Sequence, residues 1–590
     1  MSPRPEYLRL RLLLDEFLQP FSDIAADSVT EEIEKDLLIA LSQVFRQVKQ
    51  WTLDFDSDEY YQQELSAVDD CECSDDRHFL HKIIGDLMFF LALNNRYAQH
   101  LTGNILVAIS EFLLTSDIGW DDGFMHLLSL CLELAIRSSL KTRYLDSEPT
   151  STSTLLLKSK LKNAKWFAVA AIFRVLRNIQ KYMNQESDYK IMKTYLESVS
   201  SLMINSDLLK DAFLQMELVK SNEITMFFGN FIQFLCSLVA KSSFLDDGAG
   251  FSQVIRNIID LVPKLVACCH IELQSPCHVR ISHYFRHKVL MLMVKLSSNI
   301  HFEKTIHMTW IDLVHKYFED LLLQPIISEG KFDNDDFLEG SPFCTSISDP
   351  AKQKTSFRHL RRLTVFLFLK CSLNSIHTNN CNVDLKLHEW LRAHIEADVF
   401  ENDEFYFDRC VGFTLSFVQL FMHEDDILFE MLLQLFHVPF YSDRQIIIKD
   451  EPLAEAKTHL SFLVSDLFNP IHLCHIFLSE IHYDHQVLLD YLISKDTGSS
   501  CAEYLLRSLR IVCDSWNLFS EFPGVEKDRL GRLCPKRQKV SDYKEPNEGC
   551  KNNRLPFVSA RDCLVSLKTS IDSLNQKNLF PYNPKVLLRR

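Results

Sequence analysis

Apolar residues recur along most of the chain at intervals of three and four positions. One such stripe consists of Trp166, Val169, Ala170, Phe173, Leu176 and Ile179, and a second of Leu80, Ile83, Ile84, Leu87, Met88 and Leu91. This spacing places apolar side chains on one face of an α-helix, and no stretch alternates at every second position for long enough to indicate a sheet. The pattern therefore predicts an all-α protein.

The stripes predict many successive helices separated by short polar breaks. We predict helices near 31–51, 77–98, 100–115, 121–140, 155–183, 223–242, 251–273, 283–299, 303–323, 357–373, 403–422, 453–468, 500–519 and 558–577. Helices in this number favour an armadillo/HEAT-like α-solenoid, in which pairs of helices stack on one another. Because no exact repeat of about 40 residues is visible, an irregular helical array stays open as the alternative.

Composition agrees with a helical fold. The 590 residues include only 14 Gly and 18 Pro but 43 Phe, so helix-breaking residues are scarce and large apolar side chains are common. The interruptions fall near 54–76, which is rich in acidic residues, and near 146–154 and 328–356. We therefore expect a helical repeat region over 1–522, a basic flexible linker over 523–554 and a short C-terminal helical module over 555–590.

Charge is distributed unevenly along the chain. Residues 527–590 hold 15 Lys and Arg against 6 Asp and Glu, a net of +9, which leaves −25 for the rest of a chain whose formal charge is −16. An acidic body repels phosphate backbones, so the sequence argues against direct nucleic-acid binding and favours protein partners. One hypothesis compatible with this charge is a transport or assembly factor that binds basic protein cargo.

The cysteines indicate a reducing compartment. Seventeen are present, and residues such as Cys131, Cys236, Cys371 and Cys410 stand singly among apolar neighbours, which is typical of buried free thiols. The first residues do not resemble a signal peptide, and the most apolar stretch, 224–240, is short for a bilayer and contains Asn and Gln. We expect a soluble, intracellular protein with no membrane contact.

A short basic motif lies in the expected linker. Lys536, Arg537 and Lys539 follow a proline, and such a segment suits the acidic groove of a nuclear import receptor. A solvated basic loop is the plainer interpretation of the same residues. The motif predicts a protein present in both nucleus and cytoplasm.

A second basic run coincides with the Trp166 stripe. Its members are Lys158, Lys160, Lys162, Lys165, Arg174, Arg177 and Lys181. An ordinary amphipathic surface helix explains such a run, and within a solenoid the same face could instead accept an acidic peptide.

Four histidines form the main candidate for a metal-binding site. His472, His475, His482 and His485 occur as two pairs spaced three apart, and residues at this spacing share one face of a helix. Structural zinc sites more often include cysteine pairs, and apolar residues surround these histidines, so semi-buried packing positions are the favoured interpretation. The sequence therefore predicts neither a metal nor another cofactor.

Asp496-Thr497-Gly498-Ser499 copies the aspartic-protease motif. Such proteases need two carboxylates that share one proton in a β-rich fold, whereas this chain has one copy in a helical setting. We interpret the segment as a turn, with Ser499 or Ser500 capping a helix and Glu503 completing a capping box. Phosphate-loop, zinc-protease and nucleophile-elbow motifs are missing from the sequence, and we expect no catalytic residues.

The last residues combine aromatic side chains with two prolines. Such a segment exposes much apolar surface at low conformational freedom, which predicts a docking motif rather than a frayed end. Its docking residues are Phe580, Pro581, Tyr582, Asn583, Pro584, Leu587 and Leu588. Whether they pack on their own chain or on a partner stays open.

Together with 496–507 and Trp516, this tail resembles the Lines family. The resemblance implies a long helical N-terminal region and a short C-terminal module in a nucleocytoplasmic regulator of developmental signalling and transcription. It also implies action through other proteins, among them an import receptor and transcriptional or signalling regulators, with no catalytic residues.

Overall fold

A computed structural model shows the protein to be helical. It describes residues 5–22, 30–57, 74–115, 122–140, 152–186, 189–204, 211–212, 222–240, 249–269, 276–299, 304–324, 355–375, 381–395, 403–438, 463–523 and 556–589. Within these residues all regular structure is helical and no strand occurs, so the predicted all-α fold is confirmed. The chain divides into two compact units, Met1–Ile300 and His301–Arg590.

The first unit contains eleven α-helices within its described residues. They are α1 (Pro5–Leu18), α2 (Glu31–Ser57), α3 (Ser74–Ala92), α4 (Arg96–Thr115), α5 (Asp122–Leu140), α6 (Thr152–Lys160), α7 (Trp166–Glu186), α8 (Tyr189–Ile204), α9 (Asn222–Ala240), α10 (Ala249–Cys269) and α11 (Pro276–Asn299).

These helices form two rows. In one row α1, α3, α5, α8 and α10 pack in that order, and in the second row α2, α4, α7, α9 and α11 do the same. Most neighbours in sequence also pack across the rows, as α1 does on α2 and α10 on α11. Stacked helix pairs of this kind are the arrangement expected of a HEAT-like array.

Aromatic packing holds α7 against α9. Phe173 contacts Phe227, Phe231 and Phe234 with ring centroids 5.1 to 6.0 Å apart, and Trp166 lies 4.8 Å from Phe227. All five rings are buried. Burying one such side chain contributes roughly 1.5–3 kcal/mol, so this cluster is a main source of cohesion between the two helices.

Helix α5 contains the one stretch of the described residues that meets the length and hydropathy criteria for a membrane span. Its window Gly123–Leu140 is long and apolar enough to cross a membrane, with a mean hydropathy of 1.2. However, 61% of that window is buried, and α5 packs against α3, α7 and α8. The core helix of a soluble protein meets the same criterion, so the window is weak support for a membrane span.

The second unit contains twelve α-helices within its described residues. They are α12 (Lys304–Tyr317), α13 (Glu319–Leu322), α14 (Thr355–Ser375), α15 (Cys381–His394), α16 (Asp403–Phe421), α17 (Asp425–Leu435), α18 (Pro470–Glu480), α19 (His485–Ile493), α20 (Gly498–Asp514), α21 (Trp516–Ser520), α22 (Pro556–Gln576) and α23 (Lys585–Leu588).

Helices α12, α14, α17 and α20 pack in one row, and α16, α18 and α22 in another. Helix α22, which belongs to the expected C-terminal module, packs on α18 and α19. The C-terminal module is therefore integral to this unit rather than a separate body.

Two buried cations of α14 are compensated by carboxylates. Arg362 donates from Nε to the Leu420 carbonyl at 2.6 Å and pairs with Glu424, while Lys370 pairs with Glu430. The side chains of Arg362 and Lys370 are 1% and 4% exposed. Since a buried charge without a partner is costly, these contacts explain how α14 carries cations in the core.

The predicted helix over 155–183 is two helices, α6 and α7. Ser138 of α5 donates from Oγ to the carbonyl of Lys162 at 2.8 Å, between the two helices. A hydroxyl of another helix therefore provides a hydrogen bond to a backbone carbonyl between α6 and α7. This connecting segment contains neither Gly nor Pro, so no helix-breaking residue marks the end of α6.

Several sequence predictions lie outside the described residues. They include most of the loops near 54–76, 146–154 and 328–356, the linker over 523–554 and its basic motif at Lys536, Arg537 and Lys539. Where those loops border described residues, helices extend into them: α2 runs to Ser57, and α14 begins at Thr355.

The cysteines are free thiols wherever the structure describes them. Cys131, Cys371 and Cys410 are buried, and Cys236 is half-buried. Burial raises the pKa of Cys236 to about 11 and that of Cys371 to about 12, so both are protonated thiols at neutral pH.

Candidate protein-interaction surface

The candidate site is built on the reversal between α18 and α19. Asn469 caps α18 by accepting from the backbone N–H of Ile471 at 2.9 Å, and Asp484 caps α19 by accepting from Gln486 at 2.8 Å. Between them His482 has a left-handed backbone with φ of 56°. The N–H of Tyr483 reaches the Leu478 carbonyl at 2.8 Å and that of His482 reaches Ser479 at 3.0 Å, the bonding pattern of a Schellman motif.

Two of the four candidate histidines are packing residues. His475 is solvent-inaccessible, stacks on Phe519 and Phe522, and has its Nε2 2.8 Å from the Phe519 carbonyl, so Nε2 carries the proton and donates. Burial lowers the pKa of His475 to about 4, and burial followed by the charge of His475 lowers the pKa of His472 to about 4. Both side chains are therefore neutral at physiological pH.

The other two histidines lie elsewhere on the reversal. His482 is exposed, and His485 is half-buried at the start of α19 beside Gln486. Within the residues that the structure describes, no group of three or more His, Cys, Asp or Glu side chains is arranged to hold a metal ion. The histidine spacing instead reflects a stacked aromatic contact between α18 and the segment around Phe519.

The Asp496-Thr497-Gly498 segment forms the turn that sequence predicts, but its helix begins earlier than expected. Helix α20 starts at Gly498 with Thr497 as its N-cap, and Ser499 and Ser500 lie inside the first turn. The predicted serine cap is therefore wrong. Thr497 makes no side-chain capping bond, and its hydroxyl donates to the Tyr491 carbonyl at 3.1 Å, which fixes the turn to the end of α19.

Gly498 is required by close approach of two backbones. A Cβ at this position would lie 2.6 Å from the Leu492 carbonyl oxygen, closer than carbon and oxygen approach in proteins. The same carbonyl accepts a hydrogen bond from the Tyr582 hydroxyl at 3.1 Å. The Leu492 carbonyl thus joins three segments: the end of α19, the start of α20 and the C-terminal tail.

Helix α22 brings the tail to this point. Its buried residues Ala560, Cys563, Leu567 and Ile571 recur at three and four positions and form the face packed on the unit. After Gln576, Asn578 adopts φ of 55°, and the N–H of Leu579 reaches the Leu574 carbonyl at 2.9 Å. This second Schellman motif turns the chain back toward α19.

The docking motif packs on its own chain. Pro584 is buried, Phe580, Leu587 and Leu588 are half-buried, and Phe580 lies edge-on to Tyr582 with centroids 4.8 Å apart. Asn583 accepts from the backbone N–H of Lys585, the first residue of α23, at 3.1 Å. Pro581 and Asn583 are exposed, so these two residues contribute to the conformation of the tail and not to its buried contacts.

Docking leaves much apolar surface in solvent. Leu579 is 66% exposed, Val586 61% and Trp516 50%. Other large apolar side chains exposed in the same part of the chain are Ile493, Leu518, Val565 and Tyr582. Sequence patterns did not single out Val565 or Ile493. Helical periodicity identifies the buried face of a helix, and a single apolar residue on the solvent-facing side does not follow that period. We call this set the C-terminal apolar surface.

Fold and surface together define a class: an all-α protein whose two units each contain stacked helix rows, and whose C-terminal helix and tail pack on the second unit and expose apolar side chains. The family model of the Lines N-terminus matches residues 353–522, and the family model of the Lines C-terminus matches residues 560–590. The chain is a Lines-family protein with a short C-terminal module. No curated protein matches it.

Proposed function

We propose that this Lines-family protein is a non-catalytic protein-interaction scaffold that acts in nucleus and cytoplasm as a regulator of developmental signalling and transcription. The observation that carries the proposal is the C-terminal apolar surface, whose tail residues are anchored by the bond from Tyr582 to the Leu492 carbonyl. Exposed apolar residues on a fixed framework favour protein partners, since aromatic and aliphatic side chains supply most binding energy at interfaces.

The experiment introduces charge at the surface without touching the docked residues. The double variant Leu579→Asp and Val586→Asp alters side chains that are 66% and 61% exposed. The matched control is Leu12→Asp and Leu53→Asp, at positions that are 61% and 64% exposed in the first unit. Full-length tagged protein is isolated from cells, and the bound proteins are quantified by mass spectrometry.

We expect the tail variant to lose specific partners by tenfold or more while its melting temperature stays that of wild type. The control variant should keep those partners. If the tail and control variants retain the same partners, the scaffold proposal for this surface fails. The nuclear role is tested separately with Lys536→Ala, Arg537→Ala and Lys539→Ala, which should shift the protein toward the cytoplasm.

A transport or assembly factor for basic cargo is the competing proposal, and the net charge of −25 outside the basic C-terminal residues favours it. Exposed ion pairs are screened within about 8–10 Å at physiological salt. Partner binding that falls steeply between 50 and 300 mM salt would support basic cargo, whereas apolar contacts at the tail would change little.

A further inference from the structure

The second row of the first unit exposes a narrow strip on each of three neighbouring helices. Residues on these strips are half-buried or exposed, and those on one helix recur at three or four positions. They include Arg174, Arg177 and Lys181 on α7, Asn230, Gln233 and Ser237 on α9, and Lys288, Met291 and Lys295 on α11. We call the set the cationic strip.

Side-chain contacts join the three parts into one surface. Arg177 donates to Gln233, and the amide of Gln233 in turn contacts the Tyr284 hydroxyl on α11. Gln180 of α7 donates to the Ser237 carbonyl on α9 at 3.0 Å. The strips of α7, α9 and α11 are therefore adjacent, and the cations of α7 and α11 lie on either side of an uncharged centre.

The strip carries five cations and no acid. Residues 166–185, 224–240 and 276–299 contain no Asp or Glu, in a chain whose formal charge is −16. Arg174, Arg177, Lys181, Lys288 and Lys295 form no ion pair with any carboxylate that the structure describes. Burial lowers the pKa of Lys288, with Lys295 and Arg177 adding to the decrease against an opposing effect of Cys236. Positive charge is thus concentrated here, and no carboxylate among the described residues pairs with it.

We propose that the cationic strip binds an extended acidic peptide segment of a partner protein. Helices pack about 8–10 Å apart, so three of them span roughly 20 Å, the length of about six extended residues. Such a peptide would meet cations at both ends and uncharged polar groups at its centre. A peptide fits better than a nucleic acid, because the acidic remainder of the chain repels a long polyanion.

This site is independent of the C-terminal apolar surface, so either proposal can fail alone. The probe is a fluorescein-labelled peptide of ten glutamates, titrated with full-length protein at 50 mM salt and followed by fluorescence anisotropy. The strip variant is Lys181→Gln, Lys288→Gln and Lys295→Gln. The matched control is Lys35→Gln, Lys82→Gln and Lys162→Gln, which removes three exposed cations of the same unit.

We expect the strip variant to bind the glutamate peptide at least tenfold more weakly than wild type and the control to stay within twofold. Binding should also weaken several-fold between 50 and 200 mM salt. No binding by wild type, or equal loss in both variants, would overturn the proposal. A ten-nucleotide single-stranded RNA that binds wild type more tightly than the peptide, and is lost in the strip variant, would assign the strip to nucleic acid instead.

Discussion

Helices α7 and α14 carry similar numbers of cations to opposite effect. On α14, in the second unit, Arg362 and Lys370 are buried and each pairs with a carboxylate of the following helices. On α7, in the first unit, Arg177 and Lys181 lie on a solvent-facing strip whose helices contain no acid within the strip. The difference teaches that carboxylates neutralise the buried cations of α14, whereas the arginines of α7 meet only uncharged groups: Arg174 donates to the Gln99 carbonyl and Arg177 to the Gln233 side chain.

The largest expected effect is the loss of Arg362. Arg362→Met removes one of the two cationic partners of Glu424, leaving His359, and deprives the Leu420 carbonyl of its donor, and we expect a loss of about 3 kcal/mol. Hydrogen exchange read by mass spectrometry should show roughly 100-fold faster exchange in α14 and α17. Arg177→Met is the comparison, with less than about 1 kcal/mol expected in α7. Equal losses of stability at the two sites would contradict the contrast between α7 and α14.

The stability of the second unit depends on pH through its buried histidines. Burial lowers the pKa of His307, His315, His394, His472 and His475 there, and that of His100 in the first unit. Such histidines are neutral when folded and protonate on unfolding. Their stabilisation is complete above about pH 6.5 and is lost as the pH falls below it, down to about 4 for His472 and His475.

His475 tests this dependence directly. A pKa of about 4 in the folded state against 6.5 unfolded predicts a loss on the order of 2 kcal/mol between pH 7 and pH 5 from this residue. His475→Phe keeps a ring between Phe519 and Phe522 but cannot titrate, so urea unfolding of the second unit should depend less steeply on pH. His482→Gln, at an exposed position, should leave the pH dependence of wild type, and a similar flattening there would contradict the assignment.

Sequence periodicity located most helices because burial on one face is a local pattern. The predicted segment 403–422 corresponds to Asp403–Phe421, and 223–242 to Asn222–Ala240. Short helices such as α17 and α19 were not predicted, since two or three turns give too few repeats of the stripe. The tail's docking could be predicted from its aromatic and proline content, but its acceptor could not, because Leu492 lies 90 residues away and offers a backbone atom.

A smaller effect is expected at the point where three segments meet. Gly498→Ala places a methyl group against the Leu492 carbonyl, and the shift needed to relieve it should cost roughly 1–3 kcal/mol. Because Tyr582 bonds to the same carbonyl, the amides of 579–589 should exchange faster as well. Ser499→Ala, one residue on at an exposed position, is the control and should leave tail exchange unchanged.

The smallest effect runs in the opposite direction. His482 occupies the left-handed position of the Schellman motif that ends α18, where glycine avoids the steric cost of a Cβ. His482→Gly should therefore stabilise the second unit by about 0.5–1 kcal/mol, measured as a higher urea midpoint. His482→Ala keeps the Cβ and should give no gain, which separates backbone relief from loss of the imidazole. If alanine stabilises the unit as much as glycine does, the gain comes from removing the imidazole and not from relieving the left-handed backbone, and the prediction is wrong.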